Sequence, residues 1–173
     1  MSSEIKNLLY DRQSKKIAQQ VVDLIIEDES LIDDLMNCFF SEEMRLCQYA
    51  AWPVGIIAEK HTTILLPYLP KMVSNLDTPN HDAVVRNTLR TFQFMLIPEE
   101  LQSEVYDRCL EYLSNPKYPV AFTAFSMTVC TDIAMIYPEL KEEVIAAIDY
   151  RMPNGSSGIR ARGMKERRRM MGF

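Results

Sequence analysis

The sequence predicts an all-α protein, and three observations support this fold class. Apolar residues recur at intervals of three and four positions, no segment sustains an apolar/polar alternation, and only 5 of the 173 residues are glycine. The chain is 47% hydrophobic, which is sufficient for one domain with a substantial core, and its length makes two domains improbable. We therefore expect a single helical domain over residues 1–173.

The first predicted helix covers residues 4–28. Within it Ile17, Val21 and Ile25 form one apolar stripe, and the charged residues fall mostly on other faces. This pattern is typical of a surface helix that packs on one side only.

Proline and polar turns separate the remaining predicted helices. The separators are Asp77–Asn80, Pro98, Asn115–Pro119 and Pro138. The predicted helices are 30–39, 41–59, 62–76, 81–97, 99–114, 119–136 and 138–151, with a ninth after Ser156. Pro53 lies inside one of them and should bend it, because proline lacks the amide N–H that an interior helical residue donates.

The chain contains an internal repeat. Four dipeptides align at spacings of 41, 35 and 39 residues, namely Met44-Arg45, Val85-Arg86, Val120-Ala121 and Ile159-Arg160. Each dipeptide lies in the first turn or two of a predicted helix that follows a polar turn. Another helix, opened by Pro67, Pro98 or Pro138, lies between successive copies. The repeating unit is therefore a pair of helices.

This pattern resembles the HEAT and armadillo-like helical repeats, in which a proline-containing first helix is followed by a second helix that opens on a valine-arginine step. The resemblance covers most of residues 30–170, although Ala121 replaces the arginine in one copy. It implies an α-α superhelix, or solenoid, of about three to four HEAT-like helix pairs. In that family an acidic residue and the arginine form a ladder between units, a role that fits Asp77 or Asp82 with Arg86.

Stacking also explains the two ends of the chain. A helix pair buries too little apolar surface alone, so it must pack on its neighbours, and the terminal units need a polar outer face. Residues 154–173 are accordingly predicted to be a basic C-terminal capping segment. Gly155 is expected to end one helix, and Ser156 or Ser157 to cap the last one.

The sequence contains no recognisable catalytic set. Both histidines, His61 and His81, lie in predicted polar turns, and no glycine-rich phosphate loop occurs. Three pairs of glutamates lie near predicted helix starts, where the helix dipole favours negative charge. We expect the protein not to be an enzyme and to need no cofactor and no metal.

The cysteines and the N-terminus predict a cytoplasmic location. The four cysteines are separated by 9, 62 and 21 positions, a spacing that matches no zinc motif and favours buried, reduced thiols. The N-terminus lacks the apolar stretch of a secretory signal. No segment approaches the ~20 apolar residues that a membrane-spanning helix requires.

Charge is unevenly distributed. The whole chain has a net charge of −5, but residues 154–173 carry +5 and the remainder −10. The six basic residues responsible are Arg160, Arg162, Lys165, Arg167, Arg168 and Arg169. Such a segment can bind phosphates or an acidic partner, or it can serve as a cap whose arginines lie along an acidic body. Both interpretations stay open at the level of sequence.

The predicted function is that of a non-catalytic protein–protein interaction scaffold. Binding should use the concave row of second helices, with Arg45, Arg86 and Arg90 on that row, together with the basic residues of 160–169. The expected partner is another protein, through a helix or an acidic segment, and not a membrane. The alternative is nucleic-acid or phosphate-ligand binding through the basic C-terminal helix.

Overall fold

The computed structural model describes residues 4–172, so residues 1–3 and 173 of the predicted domain lie outside the described part. Within that part the chain forms ten α-helices, three 3-10 helices and no strand. The predicted all-α class is confirmed. The described residues fall into two compact units, divided between Met95 and Leu96. The prediction of a single domain stays a prediction.

The first unit contains six α-helices. They are α1 (Glu4–Asp11), α2 (Lys15–Glu27), α3 (Ile32–Phe39), α4 (Met44–Lys60), α5 (Leu69–Ser74) and α6 (Asp82–Phe92). Two 3-10 helices, Glu29–Leu31 and Thr62–Tyr68, precede α3 and α5 respectively.

The prediction of one helix over 4–28 is wrong, because α1 and α2 are separate. The Ser14 hydroxyl accepts a hydrogen bond from the Ile17 amide at 3.2 Å, which makes Ser14 the N-cap of α2. The predicted apolar stripe of α2 is nevertheless present, with Val21 and Ile25 fully buried.

Two other predicted helix starts are displaced. The helix predicted from residue 41 begins at Met44, because the Ser41 hydroxyl accepts the Glu43 amide at 3.1 Å and closes a turn first. The helix predicted from residue 62 opens as a 3-10 helix and becomes α-helical only at Leu69. Pro67 lies in that 3-10 segment and supplies no amide N–H to an α-helical hydrogen-bond ladder.

The core of the first unit forms around α4. This helix packs against α2, α3 and α6, and the 3-10 helix Thr62–Tyr68 also contacts it. Ala50, Val54 and Ile57 follow one another at helical spacing on α4 and are completely buried. Phe39 of α3 and Leu65 are buried in the same cluster.

The second unit contains four α-helices. They are α7 (Glu99–Ser114), α8 (Val120–Ile136), α9 (Lys141–Arg151) and α10 (Ser157–Met171), with a 3-10 helix at Pro138–Leu140. The predicted helices 99–114, 119–136 and 138–151 and the helix after Ser156 agree with these bounds within one to three residues. In this unit α7 packs against α8 and α9, and α10 packs against α8 and α9. The pairs α7–α8 and α9–α10 therefore stack on each other, with the first helices α7 and α9 in contact and the second helices α8 and α10 in contact.

Helix α8 is apolar around most of its circumference because it contacts three other helices. Met127, Val129, Cys130, Ile133 and Ala134 are all buried. Full burial of one side chain of the size of methionine stabilises a fold by about 1.5–3 kcal/mol. The packing of α7, α9 and α10 thus keeps one strongly apolar helix away from water.

The aligned dipeptides lie where predicted, but their apolar residues differ in burial. Met44 and Val120 are the first residues of α4 and α8 and are exposed, whereas Val85 and Ile159 lie further into their helices and are buried. The Arg86 side chain is exposed and makes no hydrogen bond or ion pair within residues 4–172. The expected ladder rung through Arg86 is not formed.

Gly55 of α4 allows close approach of α6. A methyl group at Gly55 would lie 2.3 Å from Asn87 Oδ1, and Asn87 is held in place because its Nδ2 donates to Ala83 O at 2.9 Å. We expect Gly55→Ala to lower the free energy of unfolding by about 1–2 kcal/mol, since overpacking costs more than the roughly 1 kcal/mol gained in helix propensity. Urea unfolding followed by far-UV circular dichroism measures this change.

The matched control is Gly158→Ala, in the first turn of α10. The nearest atom to its new methyl group would be Ser156 Oγ at 3.8 Å, so this variant should be as stable as the native protein or slightly more so. A Gly55→Ala protein with undiminished stability would contradict the close contact between α4 and α6.

Candidate interaction surfaces

The start of α10 is determined by Ser156. Its hydroxyl accepts a hydrogen bond from the Ile159 amide at 3.3 Å, which confirms the predicted cap. The prediction that Gly155 ends the preceding helix is wrong, because α9 ends at Arg151. Pro153 follows two residues later, where the backbone has no amide N–H with which to continue the helix.

One face of α10 is buried in the second unit. Ile159, Gly163, Glu166 and Met170 follow one another at helical spacing and are all buried. Glu166 is 0% exposed, although it is the only acidic residue between Gly155 and Phe173. A carboxylate in that position requires hydrogen-bond donors or a cation beside it.

The donors to Glu166 come from α8 and from α10 itself. Thr128 Oγ1 donates to Glu166 Oε1 at 2.9 Å, and Arg169 Nη1 donates to Glu166 Oε2 at 2.6 Å. Arg169 Nη2 reaches Asp132 Oδ1 on α8 at 2.6 Å, so one guanidinium joins two carboxylates. Arg162 Nη1 donates to the Thr128 hydroxyl at 2.5 Å. A continuous polar network therefore attaches α10 to α8.

The same network controls the charge of Asp132. Burial raises the pKa of Asp132, and the hydrogen bond and positive charge of Arg169 oppose that rise. On the other side of α10, Arg167 Nε lies 2.9 Å from Asp149 Oδ1 of α9, as an ion pair whose angle falls short of a hydrogen bond. Three of the six predicted basic residues thus face acidic or hydroxyl groups of this unit.

The opposite face of α10 points away from its neighbours. Ala161, Met164, Lys165 and Arg168 line a shallow cleft of about 470 Å³, with Arg169 at its edge. Met164 is 50% exposed. Lys165 and Arg168 are also exposed and form no hydrogen bond or ion pair in the described chain. Two available cations therefore flank one exposed apolar side chain.

The remaining one of the six basic residues, Arg160, lies at the start of α10. Its Nη1 donates to the Gly155 carbonyl oxygen at 2.5 Å, and the side chain is exposed. A carbonyl carries no full charge, so Arg160 remains available to an anion.

The three arginines predicted on the second helices of the first unit differ in their surroundings. Arg45 Nη2 donates to the Tyr10 carbonyl oxygen at 3.1 Å, and its guanidinium lies 5.4 Å from the centre of the Tyr49 ring. Arg90 forms an ion pair with Glu59 of α4 at 2.6 Å. Arg86 is the member of this row that has no such contact.

The four cysteines and His81 have structural roles in packing and in helix capping. All four cysteines are buried and free, as predicted. Burial raises the pKa of Cys38 to about 11 and that of Cys109 to about 12, so both thiols are protonated at neutral pH. His81 caps α6, with its Nδ1 accepting the Ala83 amide at 3.0 Å. No group of three or more His, Cys, Asp or Glu in residues 4–172 could hold a metal ion.

Sequence reasoning missed the acceptors that hold α10. Thr128 and Asp132 lie on α8, more than thirty positions before their partners in the sequence, and no local pattern marks them. One signal was available, because Glu166 lies in register with Ile159, Gly163 and Met170 on the apolar face. A single acid in that register, among six bases, indicates a buried ionic contact.

Helices that pair and then stack on the next pair, as α7–α8 and α9–α10 do, define a helical-repeat protein. A sequence profile of the HEAT repeat domain matches residues 5–166, and the chain therefore belongs to the HEAT repeat family. The predicted resemblance is confirmed, and it extends over α1 and α2, which precede the predicted span. HEAT repeat domains are generally non-catalytic scaffolds that mediate protein interactions.

Searches of curated proteins and of solved structures found no match. Among the helices of residues 4–172, none has the length and apolar character needed to cross a membrane.

Replacing Arg169 by methionine tests the network that holds α10. The substitution leaves the fully buried Glu166 carboxylate with only the Thr128 hydroxyl and leaves Asp132 without its cation. We expect the free energy of unfolding at pH 7 to fall by about 2–3 kcal/mol, somewhat below the usual cost of an unpaired buried charge because Arg169 is partly exposed. Chemical denaturation measures the loss.

Arg168→Met is the matched control, because it removes the same charge from the adjacent, exposed position. Its free energy of unfolding should change by less than about 0.5 kcal/mol. Equal destabilisation by the two variants would show that Glu166 and Asp132 do not depend on Arg169.

Proposed function

We propose that this protein is a non-catalytic scaffold that binds another protein through the outward face of α10. One observation carries the proposal. Lys165 and Arg168 lie beside the half-exposed Met164 and form no ion pair or hydrogen bond in the described chain, whereas Arg167 and Arg169 are paired with carboxylates of the same unit. The cleft therefore carries two cations of α10 that form no ion pair.

The chemistry of the cleft favours an acidic amphipathic helix as the bound segment. Lys165 and Arg168 are three positions apart on α10, so their side chains lie on the same face and suit carboxylates one helical turn apart on a partner. Met164 and Ala161 provide apolar surface beside the charges. Methionine adapts its shape to an apolar side chain inserted beside it, as in other helix-binding grooves.

The first unit supplies a second candidate surface. Arg86 is exposed and unpaired, and Arg45 is exposed with part of its guanidinium occupied by Tyr10 and Tyr49. We propose that these two arginines contact the partner less strongly than the α10 face does. Arg90 is assigned a positioning role, since Glu59 already neutralises it.

Several features support the absence of catalysis. HEAT repeat domains are generally non-catalytic. Burial raises the pKa values of Cys38 and Cys109, which removes the thiolate form that a cysteine nucleophile requires. The nitrogen of His81 that faces the protein is occupied by a helix cap. The predicted cytoplasmic location stays a prediction.

Affinity capture with matched charge reversals tests the proposed surface. The native protein, Lys165→Glu/Arg168→Glu and Arg45→Glu/Arg86→Glu serve as baits in lysate with and without nuclease, after circular dichroism has shown that all three are folded. We expect one protein to be captured by the native bait and reduced at least tenfold with the α10 variant, because two attractive contacts become repulsive. The Arg45/Arg86 variant should retain most of the capture.

Point substitutions are preferable to deletion of the C-terminus. Removing α10 would expose the apolar side chains of α8 that it covers, so loss of binding would then also report misfolding. Capture lost only with the Arg45/Arg86 variant would move the binding surface to the first unit. Capture abolished by nuclease would support the alternative of nucleic-acid binding.

Salt dependence separates the two functions directly. Of the six basic residues of α10, Arg160, Lys165 and Arg168 are available, because hydrogen bonds or ion pairs with the protein occupy the other three. Titration of a fluorescent duplex DNA at several salt concentrations should therefore give a slope of log K against log salt no steeper than about −3. A slope near −5 would mean that the paired arginines are released to phosphates and would favour nucleic-acid binding.

A further inference from the structure

The turn between α9 and α10 contains an asparagine followed directly by a glycine, Asn154-Gly155. No other asparagine in the sequence precedes a glycine. Asn154 is exposed, and its side chain forms no hydrogen bond within residues 4–172. The side-chain amide is therefore open to attack by the backbone nitrogen that follows it.

The chemistry of an Asn-Gly step is intramolecular. The Gly155 nitrogen attacks Cγ of Asn154 and closes an imide ring, while the Cγ–Nδ2 bond breaks and the side-chain nitrogen leaves as ammonia with the Gly155 amide proton. Water then opens the imide at one of its two carbonyl carbons. Opening at Cγ gives aspartate. Opening at the main-chain carbonyl gives isoaspartate, in which the peptide bond runs through Cγ and the backbone gains one methylene.

Packing requires glycine at position 155. A methyl group there would lie 2.5 Å from Ile159 Cγ2 and 2.8 Å from the Arg151 carbonyl oxygen. Ile159 is buried, so it has little room to move away. Glycine leaves its own amide nitrogen unshielded and its backbone free to rotate towards the preceding side chain. The fold thus imposes the residue type that makes Asn154 reactive.

One hydrogen bond restrains the attacking nitrogen. Gly155 N donates to the Met152 carbonyl oxygen at 3.1 Å, and this bond must open before the nitrogen reaches Cγ of Asn154. Pro153 lies in the same turn and has no amide N–H with which to reinforce it. An exposed turn opens far more often than the whole protein unfolds. Local opening is therefore sufficient for the reaction.

The other asparagines are protected by their surroundings. Asn7 and Asn37 are exposed, but they lie within α1 and α3, where the next backbone nitrogen belongs to the helical hydrogen-bond ladder. Asn115 precedes a proline, whose nitrogen has no proton to lose. The remaining three have a buried or hydrogen-bonded side-chain nitrogen, namely Asn75, Asn80 and Asn87.

We propose that Asn154 is a site of spontaneous deamidation, with water as the second reactant, and that the isoaspartate product loosens the start of α10. The added methylene lies directly before Gly155, whose carbonyl oxygen accepts Arg160 Nη1 at 2.5 Å. It also displaces Ser156, the N-cap of α10. The aspartate product adds only a negative charge before a helix N-terminus, where the dipole favours it. The proposal does not depend on the partner-binding face of α10.

Peptide mapping of the full-length protein by mass spectrometry tests the reaction. During incubation in neutral to mildly alkaline buffer, the tryptic peptide 152–160 should gain about 1 Da as an amide becomes an acid, and electron-based fragmentation distinguishes isoaspartate from aspartate. We expect this gain to be at least about tenfold faster than at Asn7 and Asn37 in the same sample, because only Asn154 precedes a glycine. Asn154→Gln is the matched control and should show no gain, since glutamine would have to close a larger ring.

Thermal unfolding tests the effect on α10. The isoaspartate form, separated by chromatography, should melt about 2–4 °C below the Asn154→Gln protein incubated for the same time. Fresh Asn154→Asp carries the same new charge without the extra methylene, and its melting temperature should stay within about 1 °C of that of the native protein. The comparison separates the longer backbone from the added charge.

Three results would overturn the proposal. A mass gain at Asn154 in urea-unfolded protein but none in folded protein would show that the turn protects the residue. Equal rates at Asn154, Asn7 and Asn37 would show that the glycine does not decide reactivity. An isoaspartate form with an unchanged melting temperature would show that the start of α10 tolerates a longer backbone.

Discussion

The second unit depends on the burial of α8. This helix is apolar on nearly every side, so it is stable only while α7, α9 and α10 cover it. That requirement makes the helix pairs stack, because each pair leaves one apolar face that the next pair must cover. Two polar groups of α8, Thr128 and Asp132, are positioned by the same packing and become the sites where α10 is attached. Hydrophobic packing on α8 holds the helices together, and the ionic contacts determine the orientation of α10.

The basic residues of α10 therefore lie on two faces with different surroundings. Toward α8 and α9, Arg167 and Arg169 neutralise carboxylates and keep a highly charged helix attached to an apolar core. Toward solvent, Lys165 and Arg168 form no ion pair and lie beside Met164.

Local chemistry explains which parts of the fold could be predicted. Helices α7, α8 and α9 agree with prediction because Pro98, Pro119 and Pro138 mark their starts, and a proline effect acts within a few residues. The break between α1 and α2 was missed because no proline or glycine marks it, and only the Ser14 cap does. The Arg86 rung was transferred from a family pattern. Its failure shows that a shared dipeptide does not determine the partner of a side chain.

The amino-acid sequence by itself determined the all-α class, the helix-pair repeat and the concentration of positive charge near the C-terminus. Each follows from periodicity, capping and composition, which act over one or two helical turns. Only the tertiary structure decided which of those charges are paired with acidic groups and which are not. The partners of Arg162 and Arg169 lie 34 and 37 positions away in the chain. Contacts over such separations depend on how helices stack, because a rotation of one helix by a single residue would exchange its buried and exposed charges.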